Sequence, residues 1–97
     1  MMELRQQSAA LHEQVERLEK ESHAIHKEQE RIRGNLQALG DRPAEKELRD
    51  RLVRTLGVQE DRLEQISVEI NDKEASAARN KEKMGALLER LEYEAEV

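Results

Sequence analysis

His23 and His26 stand at i, i+3, with Glu19 one turn before the first and Glu30 one turn after the second. On a helix this spacing sets imidazole and carboxylate donors on neighbouring faces, from which zinc can draw ligands. A structural zinc site takes four donors, often cysteines, and the chain has no cysteine. Without a remote third ligand the two histidines read as ordinary solvated positions. Glu19 and Glu21 are the nearest approach to a general acid and base. Such a pair needs a concavity that excludes water and separates two pKa values. No pattern here builds one, so these carboxylates read as solvent-facing and the chain as non-enzymatic, with no cofactor or metal.

Charge is the third chemical signal. Residues 31–54 carry seven basic side chains against four acidic ones, a net +3 in a chain whose total is −5. Arg42, Lys46, Arg49, Arg51 and Arg54 could bind an acidic protein or nucleic acid. Interleaved acids and the absence of an aromatic stacking platform argue against nucleic acid. The same residues also suit a solvated, salt-bridged surface.

These residues sit on a strongly periodic chain. Of 97 residues, 40% are charged and a single Tyr93 is aromatic, which excludes an ordinary globular core. High charge would suit disorder, but the regular apolar period decides for coiled coil. With Ser8 at heptad position a, the first segment has d positions Leu4, Leu11, Leu18, Ile25, Ile32 and Leu39, all apolar. Its a row is Ser8, Val15, Ser22, Gln29 and Leu36. In the second segment the apolar row is a, with Leu56, Leu63, Ile70, Ala77, Met84 and Leu91, while d alternates through Leu52, Gln59, Ile66, Lys73, Asn80 and Leu87.

Antiparallel helices stack a against d, so one apolar row should meet the other. This places Leu4 opposite Met84, Leu18 opposite Ile70 and Ile32 opposite Leu56, with Ser8 facing Asn80 and Gln29 facing Gln59 between them. A slip of one heptad would set Gln29 against Ile66 and Leu36 against Gln59, so Gln29 and Gln59 are expected to share hydrogen bonds and hold the register. Flanking charges should pair Glu28 with Arg62, His26 with Glu60 and His12 with Glu74, and set Glu21 near Glu69 and Arg5 near Lys81. Exposed pairs contribute only about 0–1 kcal/mol each, so the apolar layers decide.

The sequence predicts helices over 3–39 and 44–96, joined by a turn at 40–43. Gly40 suits a left-handed position after a helix, Asp41 an N-cap, and Pro43 a first helical turn. Gly34, Gly57 and Gly85 fall at outward positions. At about 1.5 Å per residue the first helix is roughly 55 Å long and the second roughly 80 Å. The second overshoots, and its end presents Met84, Leu87, Leu88, Leu91 and Ala95 as an apolar stripe that should attach to something.

Residues 28–66 resemble the C-terminal coiled-coil tail of a family of uncharacterised bacterial proteins that carry a domain of unknown function, some described as mucoidy-inhibitor-like. The marks are Gln29, Arg31-Ile32-Arg33 and Asn35-Leu36, the Leu39-Gly40-Asp41 turn, and Gln59-Glu60-Asp61-Arg62-Leu63. The family often has Tyr where this chain has Leu52, and has no glycine at the place of Gly57. The resemblance implies that Met1-Met2 is an introduced start, that β-rich domains precede it in a larger parent, and that a helix upstream of residue 1 pairs with the segment after Met84.

The expectation is an all-α protein: a single antiparallel two-helix coiled-coil hairpin, a fragment of a larger protein, and self-associating. Its function would be structural, joining protomers as a dimer of hairpins or docking upstream parent domains through the C-terminal stripe. The alternative is recognition of an acidic partner through the basic tip. No segment reads as a signal peptide or membrane span, which leaves the cytoplasm as the default location.

Overall fold

Two helices, α1 (Met2–Ala38) and α2 (Pro43–Glu96), make up an all-α helical hairpin. The computed structural model describes residues 2–96. Contacts divide it into two compact units: Glu19–Ser67, which holds the turn, and the residues up to Leu18 together with those from Val68 onward.

Burial follows the heptads. Every a and d position from Leu4 to Leu39, and from Leu52 to Met84, is buried or half-buried. In the turn-bearing unit Ile32 and Ile66 are almost fully enclosed, and Gln29 is enclosed as deeply. In the other unit Leu18 and Asn80 are the most buried side chains. Lys73 occupies a seam position half-buried, which a lysine tolerates because its aliphatic stem can lie on apolar surface while the ammonium reaches water. Nothing would crowd a Cβ added at Gly34, Gly57 or Gly85, in keeping with outward positions.

The turn departs from the sequence expectation in three ways. α1 stops at Ala38 and α2 starts at Pro43, so each boundary moves by one residue. Arg42, rather than Asp41, precedes the first helical residue, and its carbonyl accepts the first bond of α2 from Lys46 N–H at 2.8 Å. No glycine has a positive φ, so Gly40 is not left-handed. The last turn of α1 instead tightens, with Leu39 N–H donating to the Leu36 carbonyl at 3.3 Å.

Two side chains from the start of α2 then satisfy the connecting backbone. The Glu45 carboxylate accepts from Gly40 N–H at 2.7 Å, and Arg49 donates to the carbonyls of Leu39 at 3.0 Å and Gly40 at 3.2 Å. Arg49 also lies 3.6 Å from the Asp41 carboxylate. A Cβ at residue 40 would come within 2.6 Å of the Glu45 carboxylate, the far end of a flexible side chain, so a larger residue there would push that carboxylate off the Gly40 N–H. Main-chain groups past a helix end need such partners.

Candidate interaction surfaces

The apolar seam continues beyond the region that α1 covers. Met84 is half-buried, but Leu87, Leu88 and Leu91 are 38%, 47% and 53% exposed, and Ala95 is exposed. Leu87 and Leu91 occupy the d and a positions that are covered everywhere from Leu52 to Met84. A shallow groove beside this stripe is lined by Leu4, Lys83, Ala86, Leu87 and Arg90, giving an apolar floor between two cations. Along the same flank lies a more polar groove whose lining includes Gln7, Leu11, Gln14, Arg79, Asn80 and Lys83. The sequence reading missed this cationic rim. The spacing Arg79, Lys83, Ala86 and Arg90, one residue per turn of α2, is the signal that marks it.

The basic tip is not one patch. Arg49 is committed to the turn through Leu39, Gly40 and Asp41, which removes it from the candidate binding residues. Arg42, Lys46, Arg51 and Arg54 are exposed. Five residues separate Lys46 from Arg51, a rotation of roughly 140° about the helix, so Arg51 faces away from Lys46, whereas Arg54 lies between the two at roughly 80° from Lys46.

The polar layer also differs from expectation. Gln29 does not bond Gln59. Its amide donates to Glu60 Oε1 at 2.9 Å, while Gln59 Oε1 is buried with no hydrogen-bond partner. Ser8 Oγ, expected to face Asn80, is likewise buried and unpartnered. A lone acceptor of this kind costs about 1–3 kcal/mol. Glu60 therefore takes up the buried glutamine in place of the expected His26.

Charge pairing is corrected too. Arg62 grips Glu21, not Glu28, by a two-pronged contact, Nε to Oε1 at 2.9 Å and a terminal nitrogen to Oε2 at 2.7 Å. Hydrogen bonding from Arg62, assisted by its charge and opposed by desolvation, lowers the Glu21 pKa. Glu28 instead pairs with Arg31, one turn along its own helix, and that contact lowers the Glu28 pKa and raises that of Arg31. At the far end, Arg90 lies 3.4 Å from Glu94.

Among the described residues, no three histidine, aspartate or glutamate side chains converge to hold a metal ion, and His23 and His26 are exposed. No helix among the described residues is long and apolar enough to cross a membrane. No family model matches the chain, and neither curated proteins nor solved structures give a match.

Proposed function

We propose that the chain is a structural assembly module without catalytic activity, and that the stripe of Leu87, Leu88 and Leu91 joins one protomer to another. The carrying observation is the continuity of the seam. Leu87 and Leu91 extend the d and a rows that are covered from Leu52 to Met84, with Leu88 beside them at e, yet all three are exposed. Fully burying one leucine is worth about 1.5–3 kcal/mol, so three on one face provide a substantial drive to association. Attachment to an upstream parent helix would use the same stripe and remains the second form of this reading. Recognition through the basic tip has less support, because Arg49 belongs to the turn and Arg51 faces away from Lys46.

Light scattering on the wild type and on a Leu87→Ser, Leu88→Ser, Leu91→Ser variant tests self-assembly. A wild-type dimer that becomes a monomer of unchanged helicity is the expected result. A dimer that survives the three substitutions would remove the stripe from the interface, and a wild-type monomer would remove self-association.

A further inference from the structure

We infer that the occupant of the tail stripe is the same stripe of a second copy of this chain, lying antiparallel about a two-fold axis near Leu88. This inference rests on the assembly reading above and adds partner and orientation to it.

The argument is a charge reversal within the tail. Residues 79–90 carry Arg79, Lys81, Lys83 and Arg90 against Glu82 and Glu89, whereas residues 91–96 carry Glu92, Glu94 and Glu96 with no base. The boundary between the basic and acidic stretches falls inside the exposed stripe. Two tails side by side and parallel would set Glu94 beside Glu94, Lys83 beside Lys83 and Arg90 beside Arg90. Two tails antiparallel, with Leu88 against Leu88, set each acidic end beside the other's basic stretch.

Helix geometry makes this pairing specific. Counting equal steps from Leu88 in opposite directions brings Glu92 level with Met84 of the second copy, and Glu94 level with Glu82, between Lys81 and Lys83. Glu94 is at a d position, which faces across the seam, and Lys81 and Lys83 are the e and g residues that border a seam. The same count brings Leu91 of one copy level with Gly85 of the other, beside Met84 and Leu88. Ala95, one heptad after Leu88, follows on the same face and is likewise exposed. The Arg90 contact with Glu94 within one chain is between exposed groups and gives way readily to an intermolecular pair.

Complementarity of this kind sets partner and orientation more than affinity. It also accounts for an acidic residue at d, Glu94, in a row that otherwise continues the seam: buried between parallel copies it would face its own charge, and between antiparallel copies it meets lysine.

Cross-linking and charge exchange read the orientation directly, with mass measured by analytical ultracentrifugation and helicity by circular dichroism. Leu88→Cys should form an intermolecular disulfide on mild oxidation. Glu94→Cys should not, because its two copies would lie about 18 Å apart along the axis. Reversing the lysines (Lys81→Glu with Lys83→Glu) or the acids (Glu92→Lys with Glu94→Lys) should each weaken the dimer at least tenfold, and mixing the two variants should restore it as a heterodimer.

A dimer in which Glu94→Cys cross-links to itself, or in which the mixed variants fail to recover, would overturn the antiparallel arrangement while leaving assembly through the stripe intact. A monomer at every concentration, or a dimer indifferent to Leu87→Ser, Leu88→Ser and Leu91→Ser, would overturn both readings together.

Discussion

The two-pronged grip of Arg62 on Glu21 shows how a single cross-helix contact can be read in solution. Because Arg62 favours the ionised carboxylate, the folded-state pKa of Glu21 lies below its unfolded value. The stability this contributes is therefore present above the unfolded pKa and is lost as pH falls through the lowered folded value. Both groups are partly exposed, so the contribution to stability is small and the titration itself is the better readout. Carbon-detected NMR should find the Glu21 carboxyl titrating below an ordinary glutamate, and Arg62→Gln should move it up toward that range while leaving Glu28, held by Arg31, where it was. An unchanged Glu21 in the variant would show that the contact does not persist in solution. The heptad pattern predicts Glu28 as the partner of Arg62, because both occupy g positions on facing helices. It does not weigh the competition: Glu28 has a local partner in Arg31, and Arg62 has a second acid available one heptad away in Glu21.

In the helices, the legible part and the illegible part have separate physical origins. The rows Leu4 to Leu39 and Leu52 to Met84 can be read because burial itself imposes the period, and each of those positions is covered. The turn cannot be read as well, because Gly40-Asp41-Arg42-Pro43 is compatible with more than one capping geometry. What selects the observed one lies downstream, where Glu45 and Arg49, one turn apart on α2, reach back to the backbone of residues 39 and 40. The polar layer is hard to read for a related reason: the heptad pattern pairs the facing glutamines by their amides, whereas a carboxylate next in sequence, Glu60, is the stronger acceptor for Gln29. Arg49→Ala should thus act unlike its basic neighbours. It strips hydrogen bonds from two connecting carbonyls and should cost about 1–2 kcal/mol, whereas the exposed Arg51→Ala should stay within about 0.5 kcal/mol of wild type. Urea unfolding of the two variants decides the matter, and equal effects would mean that Arg49 is only another surface cation.

For the molecule as a whole, the governing fact is how little of it is enclosed. Among the described residues the only buried apolar side chains are Leu18, Ile32 and Ile66, and Gln29 and Asn80 share the interior with them. Ordering each residue costs about 1–2 kcal/mol, so a seam this thin leaves a small margin, and covering Leu87, Leu88 and Leu91 would add to it. Stability should then be linked to association. For a protein that unfolds from a dimer to two unfolded chains, a tenfold rise in concentration adds about 1.4 kcal/mol per dimer to the free energy of unfolding. In a chain of this size that corresponds to a Tm rise of about 3–6 °C. The Leu87→Ser, Leu88→Ser, Leu91→Ser variant should melt at a lower temperature that does not change with concentration. Calorimetry at several concentrations separates the cases. A concentration-independent wild-type transition would mean that the hairpin holds itself together and that the tail makes no contribution to its fold, while parallel dependence in wild type and variant would place the association on another surface. The difference between the two slopes is the quantity that ties the exposed leucines to the stability of the hairpin.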